Sequence, residues 1–213
     1  MSKTDFPRFH ATFPPSTDRV AFDESRYGDY QAKVPAEVAN EWRNFGFGAY
    51  GDGLIWTTPP DQPLLDPGEW PGIENGAVEV LRTAFANLCL WQGGRFIWLN
   101  VHTGKIAQLS DVAQILFDAG LCNPDFRKEV LMEPLFAKLR KRLGELDAKE
   151  CFGFAPLPAL GGDSSPEQAI KTDIHGYVAL AATFAGGITA CIRKLGSPSN
   201  VTWTCRVPQF CAL

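Results

Sequence analysis

The sequence lacks the segments that would carry it into or across a membrane. No apolar stretch near the N-terminus is long enough for a signal peptide, and no run approaches the roughly 18 apolar residues that a membrane-spanning helix needs. We therefore expect a cytoplasmic protein that makes no contact with a membrane.

Paired cysteines and clustered histidines are missing as well. The six cysteines include no C-x-x-C pair, and the three histidines lie far apart, so the sequence indicates no metal site. Without an export signal, the cysteines are expected to stay reduced and to pack as small hydrophobic residues.

The common catalytic motifs are also absent: G-x-S-x-G, H-E-x-x-H, G-x-x-x-x-G-K-[ST], and H-x-E with P-C-x-x-C. We therefore predict no enzyme activity and no cofactor. An acid-base site formed by His102 or His175 with a distant carboxylate is the alternative. We favour a turn position for His102 and an exposed or capping position for His175.

Charge is present but unevenly distributed. The whole chain has a net charge of -4, whereas residues 1–80 carry 13 acidic and 6 basic side chains, a net charge of -7. The remainder is therefore +3. An acidic half disfavours nucleic-acid binding, which needs clustered Lys and Arg, and suits a basic protein partner. A solvated acidic face without a partner is the alternative.

Hydrophobic periodicity predicts an α+β fold with a mainly antiparallel sheet and helices packed around it, as one compact unit or two closely packed lobes. We expect irregular chain with one short strand through Gly28, and ordered irregular chain from 151 to 168. Helices are predicted at 35–45, from Ser110 to Gly120, at 124–132, at 134–143, and from Asp173 to Gly186-Gly187. The helix from Ser110 to Gly120 is expected to bury Val112, Ile115, Leu116 and Ala119. Strands are predicted at 54–56 and, in a meander with turns at Gly93-Gly94 and Thr103-Gly104, from 77 to 109, although a helix also fits 77–90.

The glycine run at 46–53 does not have the context of a phosphate-binding loop. Such loops follow a strand and open a helix, whereas this run follows a predicted helix and precedes a strand. We interpret its glycines as fixing backbone geometry.

A long loop at residues 57–76 follows, rich in proline and glycine. Long loops are often functional, and its acidic residues and one large aromatic could meet a basic partner. The partner-binding residues that we predict are Asp52, Asp61, Asp66, Glu69, Trp70 and Glu74.

Residues 34–61, VPAEVANEWRNFGFGAYGDGLIWTTPPD, resemble the GAD-like domain. The resemblance consists of a P-x-x-x-x-x-x-W helix followed by a G-F-G-x-x-x-D-G turn. It implies structural roles for Trp42, Gly46, Gly48 and Gly53.

Three later stretches are similar to the C-terminal domain of immunity proteins that protect against type VI secretion DNase effectors. These are RTAFANLCLW (82–91), LNVHTGKI (99–106) and ECFGFAPLPALGG (150–162). The F-x-P-x-x-A-L-G-G segment is the most specific, and it implies structural roles for Phe154, Pro156, Gly161 and Gly162.

The resemblance implies a protein that binds a cognate nuclease toxin and neutralises it by covering or distorting its active site. The corresponding division is a GAD-like region at 1–76, an immunity-type domain at 77–195, and a tail at 196–213 without an assigned role. Two alternatives stay open: an enzyme that reverses toxin damage, and an adaptor that loads the effector.

Overall fold

The computed structural model describes residues 4–65 and 70–194, with only the backbone of 185–194. Within this part, nine strands form two sheets. The strands are β1 (Pro15–Val20), β2 (Phe47–Tyr50), β3 (Ile55–Thr57), β4 (Val78–Thr83), β5 (Leu88–Gln92), β6 (Arg95–Asn100), β7 (Lys105–Gln108), β8 (Glu150–Phe154) and β9 (Ala169–Asp173). The α-helices are α1 (Pro7–Thr12), α2 (Glu24–Gln31), α3 (Ala36–Phe45), α4 (Pro124–Glu129), α5 (Glu133–Leu143) and α6 (Ile174–Lys194).

Strands β1 to β7 form a single antiparallel meander in which each strand pairs with the next along the chain. Gln92 pairs with Arg95 across Gly93-Gly94, so the predicted tight hairpin is present. Strands β8 and β9 form a separate antiparallel pair. The predicted α+β fold with a mainly antiparallel sheet is confirmed.

The meander is covered on both faces at its centre. Neighbouring residues of β5 and β6 alternate between two apolar clusters: Cys89, Phe96 and Trp98 point into one, while Leu88, Leu90, Ile97 and Leu99 point into the other. Side chains of α1, α3 and α5 contribute to the first cluster. Side chains of α6 and the long loop (residues 58–77) contribute to the second.

The N-terminal segment is more regular than predicted. Strand β1 is present, but α1 and α2 flank it where we expected irregular chain. The reason is tertiary packing. Phe6, Phe9 and Phe13 are at most 1% exposed, and Phe6 stacks on Phe117 with ring centroids 4.2 Å apart. These long-range contacts stabilise a six-residue helix that is too short to produce a periodic pattern.

The predicted helix after Ser110 has a different buried face. The Ser110 hydroxyl does accept a hydrogen bond from the Val112 amide, but residues Ile115–Leu121 form a π-helix that continues past Gly120. The wider turn shifts the register of the buried side chains. Ile115 is consequently 54% exposed, while Phe117 is buried.

Two further boundaries differ from the prediction. The segment after residue 150 begins as strand β8 and later contains β9, which the sequence pattern did not indicate. Helix α6 continues through Gly186-Gly187 to Lys194, because a glycine inside a helix costs only about 1 kcal/mol and does not end it by itself.

His102 lies in the turn between β6 and β7, as predicted, but its side chain is part of the core. It is 3% exposed, and its Nδ1 lies 2.9 Å from the Tyr177 hydroxyl of α6. The same hydroxyl accepts a hydrogen bond from the Phe154 amide, so His102 and β8 are both tied to α6 through Tyr177.

Burial lowers the pKa of His102 from its ordinary value of 6.5 to about 4. Between these values the unfolded chain binds more protons than the folded one, so stability falls as the pH falls. From pH 7 to pH 5 the free energy of unfolding of the unchanged protein should fall by about 2 kcal/mol more than that of the His102→Gln variant. Urea titration at both pH values measures the difference. Equal losses in both proteins would contradict this assignment.

Candidate functional site

The glycine-rich turn places one acidic side chain at the surface. Gly46 ends α3 with a φ of 68°, and a Cβ there would lie 2.2 Å from the carbonyl oxygen of Val20, so only glycine fits. Strand β2 then leads to a 3₁₀ turn at Gly51–Gly53, in which Asp52 has a φ of 59°. A non-glycine residue in this left-handed region is uncommon and aims the Asp52 side chain outward.

Asp52 borders a cleft of about 450 Å³ between this turn and α5. Arg140 of α5 lies at its mouth, 2.8 Å from the Asp52 carboxylate and 2.6 Å from that of Glu145. The two carboxylates are 72% and 76% exposed, whereas Arg140 is 33% exposed. One guanidinium therefore pairs with two solvent-facing carboxylates at the edge of the cleft.

Arg140 and Glu145 were not among the predicted site residues. The basic run Lys138, Arg140, Lys141 and Arg142 has the composition of a solvated helix face at a helix C-terminus. In the structure two of its members make long-range contacts. Arg140 pairs with Asp52, and Arg142 donates a hydrogen bond to the Ala169 carbonyl. No sequence signal distinguishes these two from their neighbours.

Asp61 and Glu74 of the long loop lie apart from Asp52. Asp61 forms an ion pair with Arg26 of α2 at 2.5 Å. Glu74 is exposed beside the β5–β6 hairpin, where its backbone amide donates to the Gln92 side chain. Asp66 and Glu69 lie outside the described residues. The predicted acidic set therefore forms at least two separate groups rather than one.

Trp70 is a core residue in the structure. It is 1% exposed and packs in the second apolar cluster with Leu64, Leu65 and Ile73. The loop is long enough to fold its only tryptophan back onto the sheet, so Trp70 presents no surface to a partner.

A buried carboxylate anchors the same loop. Glu79 of β4 is 3% exposed and accepts hydrogen bonds from the Thr58 hydroxyl and the Leu64 amide. Burial raises the pKa of Glu79, opposed by these two bonds. The start of the loop is thereby fixed to the sheet.

The F-x-P-x-x-A-L-G-G segment forms the turn between β8 and β9. A Cβ on Gly162 would lie 2.0 Å from the Pro156 carbonyl oxygen, so the backbone folds back on itself with no room for a side chain. Phe154 is buried and stacks on Phe85 of the meander, with ring centroids 6.1 Å apart. The segment therefore makes a close backbone turn, and it borders an apolar groove beside α6.

Within residues 4–65 and 70–194, no cluster of three or more His, Cys, Asp or Glu side chains is arranged to hold a metal ion. Over the same residues, no helix combines the length and the apolar character needed to span a bilayer. Cys89, Cys122 and Cys151 are buried and unbridged.

The fold is that of an α+β protein with a charged cleft and an apolar groove on its surface. Two family models match parts of the chain. Residues 5–103 match the GAD-like domain, and residues 114–185 match the C-terminal domain of the type VI secretion system (T6SS) immunity protein Tdi1. The two matches confirm the resemblance seen in the sequence motifs.

Solved structures with a similar fold include the crystal structure of Atu4351 from Agrobacterium tumefaciens, with a TM-score of 0.62 and 17% sequence identity over 83% of this chain and 87% of that chain. No curated protein matches the chain.

Proposed function

We propose that this protein neutralises a cognate nuclease toxin, delivered by type VI secretion, by binding it stoichiometrically in the cytoplasm of the producing cell and its kin. The observation that carries the proposal is the pair Asp52 and Glu145, which share one guanidinium at the mouth of a cleft. A nuclease surface that binds phosphates is basic. The two carboxylates can take the place of those phosphates, and bound protein then blocks access to the active site.

The acids of the long loop have a different role in this proposal. Glu74 is exposed, and Asp61 is already paired with Arg26. Charges at the margin of an interface chiefly accelerate association by long-range attraction, whereas charges within it chiefly slow dissociation. We assign Asp61, Asp66, Glu69 and Glu74 to steering, and Asp52 with Glu145 to the contact itself.

The steering role is tested by changing Asp61, Asp66, Glu69 and Glu74 together to Ala. The association rate with the nuclease domain should fall by about tenfold at low salt and approach that of the unchanged protein near 0.5 M salt, because salt screens exposed charges. Surface plasmon resonance at several salt concentrations measures both rates.

The matched control changes to Ala four acids that are exposed on other segments, namely Asp125, Glu129, Asp163 and Glu167. It removes the same charge from a different part of the surface, so any effect of net charge alone appears in both proteins. Equal association rates for the two variants would contradict the steering role.

A further inference from the structure

Lys171 of β9 is bonded to the loop that carries Glu145. Its side chain is 30% exposed, and its Nζ donates a hydrogen bond of 2.6 Å to the backbone carbonyl of Glu145. The same Nζ lies 2.8 Å from the Glu150 carboxylate. A lysine on a surface strand usually keeps its ammonium group in water, because that group is strongly hydrated. Here the ammonium group instead donates to two acceptors of the protein.

The loop between α5 and β8, residues 144–149, begins with a sharp change of direction. Gly144 ends α5 with a φ of 88°, which glycine adopts without strain. Glu145 follows immediately, and its carboxylate turns back to Arg140 in the last turn of the helix, 2.6 Å away. The position of this carboxylate therefore depends on the path that the backbone takes as it leaves α5.

Further hydrogen bonds fix the second half of this loop. The Asp147 amide donates to the Glu150 carboxylate over 3.0 Å, and the Ala148 carbonyl accepts from the buried guanidinium of Arg82, also over 3.0 Å. The hydrogen bond from Lys171 is the main cause that lowers the pKa of Glu150 below its ordinary value. Lys171 thus acts on both ends of the loop, directly at its start and through Glu150 at its end.

We propose that Lys171 is a positioning residue for the toxin contact and acts through Glu145 without touching the toxin. This inference rests on the proposed function, in which the carboxylates of Asp52 and Glu145 bind a basic surface. An acid whose backbone is already fixed loses less conformational freedom when the partner binds, so the complex is tighter. Lys171 thereby raises the affinity although its own charge has the same sign as the surface that is bound.

Charge alone predicts the opposite effect. Loss of the Lys171 ammonium makes the net charge of -4 one unit more negative, which attracts a basic partner more strongly. A purely electrostatic role would therefore make a neutral residue at position 171 bind more tightly, whereas a positioning role makes it bind more weakly. The sign of the change in affinity separates the two roles.

Lys171→Met in the full chain is the test, since methionine keeps the apolar stem and removes the ammonium group. Its dissociation rate from the isolated nuclease domain should rise about fivefold, with an association rate that is unchanged or faster. Lys138→Met, at an exposed position of α5, removes the same charge and should leave dissociation within about twofold of the unchanged protein. Lys171→Arg keeps a cationic donor and should retain slow dissociation. Surface plasmon resonance measures both rates.

A double-mutant cycle shows whether the effect passes through Glu145. Glu145→Ala alone should raise the dissociation rate by about tenfold, and Lys171→Met added to it should change the rate by less than about twofold. An equal effect of Lys171→Met with and without Glu145 would mean that Lys171 contacts the toxin or acts elsewhere, which overturns the proposal. Unchanged dissociation of the Lys171→Met single variant also overturns it.

Failure of the proposed function gives a different pattern. If Glu145→Ala dissociates at the rate of the unchanged protein, the contact at the cleft is wrong and the role of Lys171 is wrong with it. If Glu145→Ala dissociates faster and Lys171→Met does not, the contact stands and the positioning role alone is refuted. Far-UV circular dichroism and urea unfolding verify that each variant is folded before its rates are compared.

Discussion

Gly162→Ala should lower the free energy of unfolding by about 4 kcal/mol or more, a loss large enough to unfold many proteins of this size. The new Cβ would lie 2.0 Å from the Pro156 carbonyl oxygen and 3.0 Å from that of Leu157. Both contacts are with backbone, so no side-chain rotation relieves them. The β8–β9 turn would have to open, and Phe154 would lose its position against Phe85. Urea unfolding followed by tryptophan fluorescence measures the effect.

The neighbouring glycine supplies a matched control. Gly161 has a φ of 87°, but an added Cβ there meets no atom within 4 Å. Gly161→Ala should therefore cost only about 1–2 kcal/mol, the strain of a left-handed alanine. A larger loss for Gly161→Ala than for Gly162→Ala would show that conformation, not space, dictates the glycine pair.

Asp52→Asn combined with Glu145→Lys should weaken binding to the nuclease toxin by about 100-fold, mainly through faster dissociation. Both carboxylates that pair with Arg140 are removed, so the guanidinium and the new lysine repel a basic partner surface. Asparagine is chosen at position 52 because it tolerates the left-handed φ of 59° that this residue adopts. Stability should change little, since both carboxylates are more than 70% exposed.

The control pair is Asp125→Asn with Glu167→Lys, which makes the same charge change at exposed positions away from the cleft. Its affinity should stay within about threefold of that of the unchanged protein. If the two double variants lose affinity equally, the cleft is not the contact and the loss reflects net charge.

Local signals made several elements of the fold predictable. Helix α3 combines a proline at its start, Val38 and Trp42 at helical spacing, and Gly46 at its end. The β5–β6 hairpin combines two apolar runs with Gly93-Gly94 between them. In both cases the residues that specify the element lie within it, so the sequence pattern is sufficient.

The remaining features depend on residues far apart in the chain. Helix α1 forms where Phe9 packs against Tyr50 and Phe117, and α2 forms where Tyr27 packs against Phe47. The contact between Asp52 and Arg140 joins residues 88 positions apart. Composition predicted an acidic surface. Only the folded chain shows that Asp52 lies apart from Asp61 and Glu74 and that Trp70 is buried.

The central claim is that this protein neutralises a nuclease by binding it, and a titration tests it most directly. Purified protein is added to the isolated nuclease domain encoded by the adjacent gene, while DNA cleavage and complex formation are followed together. We expect cleavage to cease at a fixed molar ratio, with a stable complex of the same composition. Full protection at substoichiometric amounts would indicate an enzyme, and a complex that leaves cleavage unchanged would indicate an adaptor. Absence of binding at micromolar concentrations would contradict the account as a whole.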